Sequence, residues 1–220
     1  MLRMEIDLTN IGPIRTTYAE LSDIDGMVHC HIAAFPGQFM TEMGPRWLKG
    51  LYSYFIQHNG GICLVAVDRT GKVLRFAVGG DPTIRDEFLR KAVFRYPHIL
   101  FWKFLTVSIV RRKLLAELFR KLRIGRRTST STPLVPQTTN VTRSGDLVSI
   151  GVFPQCQGSG IAGQIIEEFR QAGVRRGYDV LRLSVRTDNS RAVAFYKKHG
   201  WIEAARDRSG VRFELGLRGK

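Results

Sequence analysis

The sequence predicts an α/β (α+β) fold, and three stretches carry that prediction. In residues 147–163, LVSIGVFPQCQGSGIAG, an apolar run (Leu147, Val148, Ile150, Val152, Phe153) stops at Pro154. A glycine-rich turn (Gly158, Gly160, Gly163) follows, and Ile165, Ile166 and Phe169 continue at helical spacing. This is a strand, a turn and a helix. A second apolar run (Val180, Leu181, Leu183, Val185) comes after that helix and leads into another helical stripe beyond Asn189. Upstream, segments 61–67 and 72–80 flank Asp68-Arg69-Thr70-Gly71, a hairpin connection ending in glycine.

The turn at 157–163 has the chemistry of an anion cradle. Glycines let backbone N–H groups approach a ligand closely, and the positive end of the following helix favours a phosphate there. Main-chain N–H groups of Gln157, Gly158, Ser159, Gly160, Ile161, Ala162 and Gly163 are therefore expected to hold a pyrophosphate. Gly158-x-Gly160-x-x-Gly163 also satisfies the dinucleotide fingerprint, a weak signal by itself. Only 57 residues follow Gly163, too few for a full dinucleotide-binding fold.

The two blocks together resemble the GNAT superfamily of acyl-CoA-dependent N-acyltransferases. Gln155-x-x-Gly158-x-Gly160 stands where that family has (Arg/Gln)-x-x-Gly-x-(Gly/Ala), and Asn189-x-x-Ala192-x-x-x-Tyr196-x-x-x-Gly200-Trp201 matches its second pattern. The resemblance is clear over 145–217 and weaker over 13–80. It implies a mixed, mostly antiparallel central sheet flanked by helices, with one acetyltransferase domain over 1–220. Acetyl-CoA is the implied co-substrate. By the same resemblance, Val152 and Phe153 bond the pantetheine amides where a splayed neighbouring strand leaves them unpaired. Asn189, with Ala192 beside it, holds the pantetheine arm, and Tyr196 protonates the departing sulfur.

With 44% hydrophobic and 24% charged residues, the 220-residue chain has the composition of a globular protein with one buried core. Cys30, Cys63 and Cys156 are odd in number and lack metal spacing, so neither a disulfide framework nor a metal site is expected. The first residues lack the apolar core of a signal peptide, which points to the cytoplasm. The net charge of +15 implies an anionic partner without naming it.

In chain order, 14–21 alternates as a first strand, and Ser22-x-x-Asp25 reads as a capping box before a helix carrying Ile24, Met27, Val28 and Ile32. His29 and His31 are two apart, so they do not share a helix face; surface or core histidines are expected. Pro45 opens a helix whose Trp47, Leu48, Leu51, Tyr54 and Phe55 read as core, with an acceptor-pocket role open. Residues 81–144 exceed the usual crossing between the third and fourth strands and read as a basic helical insert. Thirteen Lys or Arg against three acids between Arg85 and Arg127 place a net +10 there.

One helical stripe of the insert is Phe88, Leu89, Ala92, Val93 and Tyr96, and a second is Leu115, Leu118, Phe119 and Leu122. The apolar stretch between them is about 12 residues, against the roughly 20 needed to span a bilayer. Three readings stay open for the insert: a helical cap, an anionic membrane surface contacted through 85–127, and, least favoured, nucleic acid. Residues 128–142 form a polar linker, and 201–205 with 211–217 form a closing hairpin.

N-acyl transfer needs a held thioester, a neutral amine and an acid for the leaving thiolate. No acid falls inside the fourth strand as read from sequence, Asp146 only preceding it, so no base is assigned. The leading expectation is acetyl transfer to a primary amine of a small molecule, such as an amino sugar or a nucleotide-linked one. The alternatives are a protein amine acetyltransferase, and a non-catalytic protein of this fold binding a polyanion; a homodimer is compatible with each.

Overall fold

A computed structural model describes residues 15–106, 142–157, 160–207 and 210–217. Within them a sheet of seven strands runs β1 (Arg15–Tyr18), β2 (Gly61–Val67), β3 (Val73–Gly80), β4 (Ser144–Val152), β5 (Val180–Val185), β6 (Ile202–Arg206) and β7 (Val211–Gly216). Their spatial order is β1-β2-β3-β4-β5-β7-β6. Only the β4–β5 pairing is parallel. The expected mixed, mostly antiparallel sheet is therefore present. The terminal hairpin does not extend the sheet in sequence order: β7 lies between β5 and β6.

The helices are α1 (Ile24–Ala34), α2 (Phe39–Met43), α3 (Pro45–Gln57), α4 (Thr83–Arg95), α5 (Pro97–Thr106), α6 (Ile161–Arg175) and α7 (Ser190–Lys198). Side chains alternate faces along a strand, and β2 divides accordingly. Cys63 and Val65 join one core with Met27, Leu48, Tyr52 and Phe88. Ile62 and Leu64 join a second with Ile165, Phe169 and Tyr196. The sheet is thus covered on both faces, by α1, α3 and α4 on one and by α6 and α7 on the other. β3, an interior strand, is buried throughout.

Local chemistry accounts for most boundaries. Pro45 starts α3, as its fixed φ and missing N–H suit a first turn. In the 68–71 turn the Asp68 carboxylate accepts from the N–H groups of Thr70 and Lys72, and Gly71 takes φ 82°. The expected capping box at Ser22 is displaced. Leu21–Asp23 form a 3₁₀ turn, and the reciprocal pair is Glu20 with Asp23, whose carboxylate accepts from the Glu20 N–H at 2.8 Å.

A helix, α4, carries the first stripe, which is narrower than read, and a further helix, α5, takes in the start of the apolar stretch that follows. Ile84, Phe88 and Ala92 are buried one turn apart, whereas Leu89 and Val93 face solvent. Phe88 packs edge-on against Trp47, which settles the α3 aromatics as core on that side. The second stripe at 115–122 and the linker over 128–141 lie outside the described residues. Among the described residues no helix is long and apolar enough to cross a membrane.

Candidate active site

β4 and β5 diverge, and that divergence builds the centre of the site. They pair only at Ser144↔Val180, Gly145↔Leu181 and Asp146↔Arg182. From Leu147 onward β4 has no partner on that side among the described residues, although β3 stays with it to Val152. The register against β3 slips between Val78↔Ser149 and Gly79↔Leu147, so Val148 is the extra residue of a β-bulge. A row of main-chain groups thus opens into a wedge with the bulge just beyond its apex. An extended, amide-bearing ligand fits such an edge as an added strand does.

At the apex sits a carboxylate that the sequence reading left outside the strand. Asp146 is the third residue of β4, half-buried, and burial raises its pKa, with Arg85 and Arg182 opposing. The apolar periodicity of 147–153 hid it, because the strand starts three residues earlier, at Ser144. Pairing with β3 and β5, rather than side-chain pattern, sets that start.

β4 ends in a short 3₁₀ turn, Pro154–Cys156, and Gly160 then caps α6 with φ 78°, a left-handed conformation suited to glycine. The signature (Arg/Gln)-x-x-Gly-x-(Gly/Ala) is also met two residues later, by Gln157-x-x-Gly160-x-Ala162. This second frame puts the positive-φ glycine at the helix cap and an engaged side chain at its first position. Gln157 Oε1 accepts from Arg191 at 2.9 Å, tying the turn after β4 to the first turn of α7. The two sequence blocks therefore meet in space.

The expected cradle narrows on inspection. The N–H of Gln157 donates to Pro154 O and that of Gly163 to Gly160 O, so neither is the natural donor to an anion. Gly163 serves close packing instead: a Cβ there would lie 2.7 Å from His199 Nε2. Phe153 is likewise committed, its N–H to Leu74 O and its ring to the core beside His29. Gly160, Ile161 and Ala162 remain at the N-terminus of α6, with Val152 at the end of the unpartnered edge. Gly158 and Ser159 lie outside the described residues.

Asn189 is the N-cap of α7, its Oδ1 accepting from the Ala192 N–H at 3.1 Å, so the spacing of these two has a capping rationale of its own. Tyr196 is 6% exposed and belongs to the second core, beside Trp201 and Phe213. Burial pushes its phenol pKa up, which keeps it protonated at neutral pH. A cavity of about 440 Å³ opens between Pro36, Gly37 and Gln38 on one side and Arg186, Asp188 and Asn189 on the other.

A buried polar chain behind β4 was not expected. Tyr52 Oη and His31 Nδ1 are 2.6 Å apart, and Ser149 Oγ lies 3.5 Å from the same hydroxyl. His31 is core, as one of its two readings had it. Burial lowers its pKa to about 4, so the ring is neutral and shares a hydrogen bond with the Tyr52 hydroxyl. A poor proton acceptor of this kind suits orientation of hydroxyls rather than base catalysis. Among the described residues no group of three His, Cys, Asp or Glu side chains is arranged to hold a metal.

Comparison with known proteins agrees with this geometry. Residues 134–201 match the family model described as the Acetyltransferase (GNAT) family. No curated protein sequence matches the chain. Among solved structures, SsHAT aligns over 94% of this chain and 100% of its own, at 19% identity and a TM-score of 0.63. A putative acetyltransferase of the GNAT family from Desulfovibrio desulfuricans gives 12% identity and 0.58, over 94% and 100%. The ribosomal-protein-S18-alanine N-acetyltransferase from Escherichia coli gives 16% and 0.54, over 94% and 96%. Identities this low speak to the fold. The fold and the family match over residues 134–201 point the same way: in that segment the chain is similar to the GNAT acetyltransferase family, and its fold is one that solved GNAT acetyltransferases share.

Proposed function

We propose that this protein transfers the acetyl group of acetyl-CoA to a primary amine of a small molecule. The observation that carries the reading is the unpartnered edge of β4 from Leu147 to Val152, running from Asp146 to the N-terminus of α6. Pantetheine amides pair with that edge, the pyrophosphate meets the N–H groups of Gly160, Ile161 and Ala162, and the thioester lies near the bulge at Val148. The amine enters through the 440 Å³ cavity, a size that suits a small ligand.

The step follows from those positions. The neutral amine nitrogen attacks the thioester carbon, and N–C forms as C–S breaks. Asp146, whose raised pKa makes it a better base than an exposed carboxylate, takes the proton from nitrogen. Tyr196, which burial keeps protonated, donates its proton to the thiolate. The products are the N-acetyl amide and free CoA. A cationic surface favours an acceptor with negative charge elsewhere in the molecule, such as a nucleotide-linked amino sugar.

The test measures CoA-thiol release from acetyl-CoA against a panel of amino sugars, nucleotide-linked amino sugars, polyamines and short peptides. Amine-dependent release with one of the small amines is expected. Release with peptides alone would move the acceptor to protein amines, and no release with any amine by protein that binds acetyl-CoA would leave a non-catalytic binding protein.

A further inference from the structure

Beneath the first turn of α6 lies a cation that neither sequence block includes. Arg75, on β3 opposite Val152, is 1% exposed. Its Nη1 donates to Ile161 O at 2.6 Å and to Gln164 Oε1 at 2.9 Å, and its Nη2 to Thr16 Oγ1 at 3.1 Å. One guanidinium thus fastens the start of α6 to both β3 and β1. Among the described residues its Nε is buried with no partner, as is Oε2 of Glu168 one turn further along the helix.

The placement is electrostatically costly. A helix N-terminus carries the positive end of the helix dipole and favours anions, so a buried cation there opposes it. Burial itself also disfavours the charged guanidinium, with Glu168 only partly offsetting the effect. The repulsion falls when an anion sits on the first-turn N–H groups. Positive charge held at a fixed distance in a partly desolvated setting then adds to the attraction.

We infer that Arg75 is a positioning residue for the pyrophosphate of acyl-CoA: it fixes the first turn of α6 from below and adds charge that Glu168 offsets only in part and an anionic ligand offsets further. This rests on the proposed acetyl-CoA cradle. The side chain touches the helix, not the ligand, so its effect passes through Ile161 and Gln164. It should be confined to the phosphate-bearing part of the co-substrate.

The experiment titrates wild type, Arg75→Met and Arg75→Lys with CoA and with S-acetylpantetheine, which lacks the pyrophosphate, by calorimetry and thermal shift. For Arg75→Met, CoA should bind about fivefold to tenfold more weakly, with S-acetylpantetheine affinity unchanged. Arg75→Lys, keeping the charge but not the fork, should recover part of the loss. Should Arg75→Met fail to fold, Thr16→Val and Gln164→Ala each cut one anchor and should give smaller losses of the same selectivity. Equal CoA affinity in wild type and variants overturns the inference and leaves the cradle standing, as does an equal loss for both ligands. Folded wild type that binds no CoA sinks the cradle itself.

Discussion

Replacing His31 by glutamine should abolish most of the protein's loss of stability in mild acid. His31 Nδ1 shares a hydrogen bond with the Tyr52 hydroxyl while the ring packs against Phe35 and Phe76, and its Nε2 has no partner among the described residues. Protonation would set a positive charge among groups that cannot answer it: burial raises the pKa values of neighbouring Tyr52 and Cys30, so both stay neutral across the acidic range. The folded pKa is about 4. The unfolded value is about 6.5.

Between those two values the unfolded chain binds a proton that the folded chain refuses, so stability rises with pH. The contribution is complete above about pH 6.5 and is lost as the pH falls toward 4. Linkage from these pKa values gives a loss of about 2 kcal/mol between pH 7.5 and pH 5. With a urea dependence of about 2 kcal/mol per molar, the midpoint should fall by roughly 1 M. Carboxylates whose pKa values are lowered in the fold, Asp68, Glu87 and Glu167 among them, act at lower pH. Urea unfolding of wild type and His31→Gln at the two pH values checks this, since glutamine can still hydrogen-bond to Tyr52 and does not titrate. An equal pH-dependent shift in both proteins would refute the assignment to His31.

Other perturbations separate chemistry from packing. Tyr196→Phe should lower kcat by about a hundredfold, the scale of general acid catalysis, while acetyl-CoA binding by calorimetry stays within about twofold. Asp146→Asn should lower kcat similarly and remove the acid limb of the pH–rate profile, a limb whose midpoint in wild type lies above the ordinary carboxylate range because burial raises that pKa. Gly79→Ala would put a Cβ 2.0 Å from Asp146 O and 2.6 Å from Phe169 Cζ. Opposite the β4 bulge nothing can yield cheaply, so denaturant unfolding should show a loss of about 2 kcal/mol or more.

Residue patterns made the strand-turn-helix at 147–163, the 68–71 hairpin and the helix opening at Pro45 legible in the sequence, because each is specified within one or two turns of chain. The same holds for the second block, whose Asn189–Ala192 spacing is a helix cap as well as a family signature. Pairing partners are not local. That β4 begins at Ser144, that β5 leaves it after Arg182, and that β7 inserts before β6 depend on which edges meet once the chain is collapsed. Asp146 was therefore missed as a strand carboxylate, although its residue type was in plain view. Arg75 gave no signal either, being one arginine among many until burial and three hydrogen bonds set it apart. Sequence alone determined most of the elements, since turn chemistry and periodicity act at short range, and its two motif blocks carried the resemblance to the GNAT superfamily. Tertiary structure decided which polar groups lost water and which partners they found, and those two facts set the pKa values, the wedge and the charge beneath α6.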